Sequence, residues 1–234
     1  MRVMRQVVDG TTNFIGKVNR RRKRAIPARH AAQVKINLGC GLAIAPGWIN
    51  IDGSLNALIA NLPGFFHKIA YRLSGARKYY SEGEYCSILQ GNTFMHHDLA
   101  YSIPLYDQST DYVYSSHFLE HLSRRDADNL LRESYRVLKP GGTVRVAVPD
   151  LEYAVKLYAT GKKEEMLSQY FFVDDDDSHY ARHKYMYDFQ LLKSALEKSG
   201  FKDIRRCTFQ NGVTPDLAVL DNRVEDSLFV EATR

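Results

Sequence analysis

Val34-Lys-Ile-Asn-Leu-Gly-Cys-Gly41, followed by Trp48-Ile-Asn-Ile-Asp52, is the stretch that decides the fold. It reads as a buried strand, a glycine turn, and a second strand that ends on a carboxylate. Gly39 and Gly41 carry no Cβ, so a ligand can lie against the bare backbone of the turn. Asp52, at the tip of the neighbouring strand, suits the hydroxyls of a ribose. Presented at the carboxyl ends of parallel strands, these groups make a nucleoside pocket. The spacing argues against a dinucleotide, whose fingerprint is Gly-x-Gly-x-x-Gly with an acidic residue about 20 residues further on. Here Ile44 stands in the place of the third glycine, and Asp52 arrives eleven residues after Gly41.

Working outward, alternation and turn residues predict strands near 34–38, 48–52, 93–96, 111–115, 143–148, 203–209 and 226–232. Helices are expected near 123–138, 150–159, 163–171 and 188–199, the last running from an Asp188 N-cap to Gly200. Only six residues separate Gly41 from Trp48. A helical crossover normally takes at least about 10–12 residues, so the first crossover helix is shortened or missing. The second and third strands, by contrast, are held apart by a long insertion near 54–92. It contains Leu55-Asn-Ala-Leu-Ile-Ala-Asn-Leu62 and Phe65-Phe-His-Lys-Ile-Ala-Tyr-Arg-Leu73, both helix-like, whose apolar residues are expected to replace the packing lost with the first helix. Residues 34–234 read as one domain with this insertion, preceded by a basic arm over 1–33.

Further segments follow in a telling order. His96-His-Asp-Leu99, Ser109-Thr-Asp-Tyr-Val-Tyr-Ser-Ser-His-Phe-Leu-Glu-His-Leu122, Arg136-Val-Leu-Lys-Pro-Gly-Gly-Thr-Val-Arg-Val-Ala-Val-Pro149, Gly200-Phe-Lys-Asp-Ile204 and Ser227-Leu-Phe-Val-Glu-Ala232 come after the glycine turn. From residue 34 onward the chain resembles the class I S-adenosylmethionine-dependent methyltransferases, and within them a type 11-like subgroup of bacterial predicted methyltransferases. The resemblance implies an α/β fold: a Rossmann-like, seven-stranded, mostly parallel sheet with helices on both faces. It implies S-adenosyl-L-methionine as cofactor and S-adenosyl-L-homocysteine as product. Gly39, Cys40 and Gly41 would line the methionine end, with Asn37 where the family commonly has an acidic residue. Asp52 would take the ribose, Asp98 the adenine amino group and Leu99 the ring, while Ser115 and Ser116 face the same crevice. Cys40 reads as a small side chain in a tight turn, with no basic partner nearby to make it a nucleophile.

Methyl transfer by in-line displacement needs little more than orientation, worth roughly 7–11 kcal/mol. A hydroxyl acceptor also needs a base, for which imidazole is suited. His117, His121, His179 and His183 are the candidates, and His117 and His183 are the two assigned here. His117-Phe-Leu-Glu-His121 would place imidazole and carboxylate at i, i+3 and i+4 on one helix face. It also resembles the Glu-x-x-Glu-His of some magnesium-dependent methyltransferases, but a first-position His suits magnesium poorly. The reading therefore assigns no metal and expects the pair to brace the strand–helix junction. Asp174-Asp-Asp-Asp177 reads as a solvated loop, and the Tyr, His and Arg residues of 178–187 as contacts for the acceptor.

Charge is uneven. Residues 1–35 hold ten Lys or Arg against Asp9 alone, so the remaining residues carry −4 of a total of +5. Arg20-Arg-Arg-Lys-Arg24 follows a partly apolar face, which offers peripheral contact with anionic membrane through residues 1–30, and less readily with nucleic acid. No apolar run approaches the roughly 18 residues of a membrane span. Neither a signal peptide nor metal-ligand spacing of Cys40, Cys86 and Cys207 is evident, so the expected place is the cytoplasm, with peripheral contact on the inner face of the membrane. The expected reaction is O-methylation of a small, sugar-like or lipid-linked acceptor. The alternatives are an RNA hydroxyl methyltransferase using the arm, and a non-catalytic binder of the cofactor. Amino-base methylation is disfavoured, because Ser115-Ser-His-Phe118 stands where an Asn/Asp-Pro-Pro-aromatic motif belongs.

Overall fold

Short apolar strands with turn residues at their carboxyl ends bury both faces only inside a helix-covered parallel sheet. The computed structural model describes residues 32–73, 75–171 and 182–234, with residues 10, 12, 15, 16, 18–20, 22–27 and 30 of the arm. Strands β1 (Lys35–Leu38), β2 (Ile49–Asp52), β3 (Thr93–His96), β4 (Thr110–Ser116) and β5 (Leu138–Pro149) are parallel. Strand β7 (Ser227–Thr233) runs antiparallel to both β5 and β6 (Lys202–Cys207). The order is β3-β2-β1-β4-β5-β7-β6. Chain direction across the sheet reverses between β1 and β4, the place where an open α/β sheet leaves a crevice at its carboxyl edge. Leu38 pairs with Ser115 there, so the glycine turn after β1 stands beside the end of β4.

Residues 42–47 form turns and no helix, as the short crossover predicts. The helices α1 (Leu55–Ile59), α2 (Gly64–Leu73) and α3 (Glu82–Gly91) follow β2. Ala57, Ile59, Ala70, Tyr85 and Leu89 from these helices form a cluster with Cys40 and Phe94, against which Leu42 and Ile44 of the helix-free crossover pack. Helix α3 was not foreseen; its Ser81 N-cap and Glu84 make a reciprocal capping box, a start signal that periodicity alone misses because only Tyr85 and Leu89 face inward.

The main core joins Ile36, Leu38, Ile51, Val113 and Val146 of the sheet to two later helices. These are α4 (Arg124–Val137), capped by Ser123, and α7 (Phe189–Lys198), capped by Asp188. Between them, α5 (Leu151–Ala159) is followed by α6 (Lys163–Met166) and a wider turn over Leu167–Phe171, so the single helix expected over 163–171 is broken. Pro140-Gly-Gly142 also departs from expectation. It does not stand between helix and strand but inside β5, whose register with β4 slips from Thr110–Leu138 to Tyr112–Thr143. A bulge absorbs the extra residues, with Gly141 at φ 78°. The short helix α8 (Leu217–Leu220) carries Asp221, which pairs with the fully buried Arg145 of β5. Glu231 joins the same guanidinium. Burial pushes the Glu231 carboxyl up, but hydrogen bonds from Val213 N–H, Arg205 and Thr214 outweigh it and bring it to about 2.

The described arm residues follow the edge strand β3. Ser102 donates its hydroxyl to the Arg20 carbonyl at 2.8 Å, Arg24 N–H donates to Pro104 O at 2.8 Å, and Lys23 pairs with Asp107 at 3.0 Å. His30 ends the path at the foot of the sheet, between Gly47 O and the Thr93 hydroxyl. Asp174–Asp177 and His179 lie outside the described residues.

Candidate functional site

The glycine turn is shaped by what surrounds it. Gly39 sits at φ 64° and Gly41 at φ 52°, both in the region where a side chain is strained. A Cβ on Gly39 would collide with the Phe118 ring, whereas a Cβ on Gly41 would meet nothing within 4 Å. The turn is thus closed on the Phe118 side and open at Gly41, as backbone that a ligand must approach needs to be. Gly41 N–H donates to Asp52 Oδ2 at 2.8 Å, and Ser54 N–H to Asp52 Oδ1 at 2.7 Å. A carboxylate has about four acceptor sites, so each oxygen keeps one for hydroxyls outside.

The other residues assigned to the cofactor take different places. Asn37 is buried and gives its amide hydrogens to Ala43 O at 2.8 Å and Asn50 Oδ1 at 3.2 Å, which ties the crossover down from within. Cys40 is buried, and burial first, then Asp52, pushes its thiol well above the usual range. That agrees with a packing role. Asp98 is half-buried and accepts from Ala100 N–H, while Leu99 is only 2 % exposed and belongs to the main core beneath the site. Gly16 of the arm presses on Asp98: a Cβ there would stand 2.9 Å from Asp98 Cβ. Sequence reasoning had no signal for that contact. Ser115 donates to Leu38 O at 3.3 Å and closes the seam between β4 and β1; Ser116 ends β4 half-buried.

Beyond Ser116 the chain makes a strained step, with His117 at φ 50°. It then enters a 3-10 turn, Leu119–His121, rather than the helix whose face was expected to carry His117, Glu120 and His121. The helix is delayed because Ser123 caps α4 only after Leu122. The turn sends Glu120 into the interior, fully buried, with no hydrogen-bond partner on either carboxylate oxygen. His117 Nδ1 stands 3.5 Å and His121 Nε2 3.8 Å from Glu120 Oε1. His183 comes from the segment before α7, its ring 5.1 Å from that of His121. Lys184 N–H and Tyr185 N–H hold this segment by donating to the Glu120 carbonyl at 2.7 and 3.3 Å. Burial first holds the His183 imidazole below its usual value, against the pull of Glu120. Both histidines assigned as bases therefore converge on one buried carboxylate, at the end of the strand next to the glycine turn.

Residues 70–146 match the family model of a methyltransferase domain. The crystal structure of a SAM-dependent methyltransferase from Archaeoglobus fulgidus is similar with a TM-score of 0.51, over 95 % of this chain and 94 % of that one, at 17 % identity. A possible exported protein from Bordetella parapertussis is similar at 0.51, over 96 % of this chain and 67 % of that one, at 16 % identity. At such identities the likeness speaks for the fold. No curated protein matches the chain.

Proposed function

We propose that this chain, a class I S-adenosylmethionine-dependent methyltransferase, methylates a hydroxyl oxygen of a small, sugar-like or lipid-linked acceptor. The observation that carries the reading is the meeting of His117 and His183 on Glu120 beside the glycine turn. A hydroxyl needs a proton acceptor when its oxygen attacks, and an imidazole backed by a carboxylate supplies one. When bound, the cofactor provides a methyl group activated on positive sulfur. Gly41 and Asp52 hold the nucleoside end through open backbone and spare carboxylate acceptors, and Asp98 receives the adenine edge under the arm. Phe118 sets the floor at Gly39.

A lipid-linked acceptor finds specific support on α2. Phe65, Phe66, Ile69 and Leu73, with Leu62 just ahead of the helix, recur at helical spacing yet are all exposed, Phe65 by 69 %. The buried side of α2 is His67 and Ala70 instead. Exposed Lys68, Arg72, Arg77 and Lys78 flank the apolar stripe, the arrangement of a helix lying in an anionic bilayer surface. The stripe joins residues 1–30 as a membrane-facing surface; of that segment Lys23 and Arg24 are tied to the sheet edge, and about half of it lies outside the described residues.

The test has three parts. S-Adenosylhomocysteine should stabilise the chain thermally, and Asp52→Ala should abolish the effect; an unchanged Asp52→Ala variant sinks the cofactor assignment. Labelled methyl supplied with a cell extract should be recovered on oxygen; recovery on nitrogen or carbon refutes the acceptor class. Sedimentation with anionic vesicles, but not neutral ones, should be lost in Phe65→Asp/Ile69→Asp, and indifference to lipid charge or to the variant removes the membrane.

A further inference from the structure

Glu120 presents a problem of charge. Its carboxylate is wholly buried and accepts no hydrogen bond, and a buried charge left unpaired is strongly unfavourable. Something must balance it. The imidazoles around it are the first suspects, yet 3.5 Å from His117 and 3.8 Å from His121 are too long for a charge-assisted hydrogen bond.

The tautomers sharpen the point. His183 Nδ1 is 2.8 Å from the Tyr170 carbonyl, and His121 Nδ1 is 3.3 Å from the Arg182 carbonyl. A carbonyl only accepts, so each Nδ1 carries the hydrogen, and in the neutral ring Nε2 is left with a lone pair. Backbone carbonyls holding Nδ1–H are the usual outer partners of metal-binding histidines, because they fix the ring and aim the other nitrogen. The ligand atoms of Glu120, His121 and His183 all lie within 4.8 Å of one another. Two imidazole lone pairs and a carboxylate converge on this spot, with His117, whose Nε2 stands 2.9 Å from the Ser227 hydroxyl, at its edge.

We propose that Glu120, His121 and His183 bind one divalent transition-metal ion, zinc above all, with His117 standing next to it. Two imidazoles and one carboxylate suit zinc, at about 2.0–2.2 Å from each ligand atom, better than the oxygen-seeking magnesium or calcium. Three protein ligands leave a fourth position open, as in catalytic zinc sites, where a water or an acceptor oxygen can bind. A hydroxyl held there loses its proton more readily. His183 is then a ligand, which leaves His117 as the proton acceptor. The metal also pins the segment around His183, where acceptor contacts are expected, to the end of β4. The catalytic consequence rests on the O-methylation reading; the metal site itself rests only on the cluster.

The full chain, stripped with a chelator, is titrated with zinc by calorimetry and with cobalt(II) by its visible ligand-field absorption. One equivalent should bind, and Glu120→Gln and His183→Gln should each weaken binding at least about 100-fold while still binding S-adenosylhomocysteine, which shows that they fold. His117→Gln should keep the metal and lose turnover. Absence of binding, or binding that survives both ligand substitutions, overturns the site. Metal bound normally with the label recovered on nitrogen or carbon would instead overturn the reaction and leave the site standing.

Discussion

The turn after β1 and the turn after β4 stand side by side at one end of the sheet, and they treat polar groups in opposite ways. At the first, Asp52 accepts two backbone hydrogen bonds and Asn37 gives away both amide hydrogens. At the second, the Glu120 carboxylate has no hydrogen-bond partner and His117 Nδ1 has none either. One turn is finished by its own chain, so it can keep its shape with nothing bound. The other leaves a buried carboxylate without a hydrogen bond, and that difference separates a turn complete in itself from one with bonding capacity to spare.

The comparison can be broken most forcefully at Gly39. Gly39→Ala forces a Cβ into the Phe118 ring at a left-handed φ, and should cost about 4 kcal/mol or more in denaturant midpoint along with all cofactor binding; a mild loss would mean the turn is not rigid. His97, just after β3, with its backbone N–H donating to the Asp52 carbonyl, gives the next largest effect. Its Nε2–H donates to Ser102 Oγ, which passes its own hydrogen to Arg20 O, so Nδ1 is left a neutral lone pair. Burial, then Arg24 and His96, bring this imidazole from 6.5 to about 4. Below pH 6.5 the unfolded chain takes a proton that the folded one refuses, so stability should fall by about 3 kcal/mol between pH 6.5 and 4. His97→Asn should flatten that part of the profile, and a parallel profile would refute it.

Asp52→Asn should lower stability by about 2 kcal/mol, since one acceptor for a buried N–H becomes a donor. Glu120→Gln should do the reverse in metal-free protein, raising stability by about 1 kcal/mol because an unbalanced charge disappears. If Glu120→Gln destabilises instead, the carboxylate already has a cationic partner among the imidazoles and the contrast between the turns falls.

Most of the fold is legible in the chain because it is written in local terms. Gly39, Gly41, Asp52 and the short run to Trp48 state a strand–turn–strand and a missing helix within twenty residues. Asp188 and Gly200 bracket α7 just as clearly. Helix α3 escapes because its inward face is two residues wide, though Ser81-x-x-Glu84 marks its start. The site is harder. Arg145 looks like any charge on a strand until Asp221 arrives from 76 positions away. Glu120 and His121 announce a motif, but nothing local says that His183 will close on them or that the helix will begin late. Polar groups that meet only through tertiary packing leave no periodicity to read.

The arm has one more consequence, in the order of assembly. Lys23 leaves the ribosome 84 residues ahead of its partner Asp107, and Arg24 is 72 residues ahead of His96. Until β3 and the loop after it have emerged, Lys23 and Arg24 lack these partners, while β1 and β2 can already pair. Gly16, which presses on Asp98, is therefore made before the loop it covers, and a bulky residue in its place would be felt directly at Asp98.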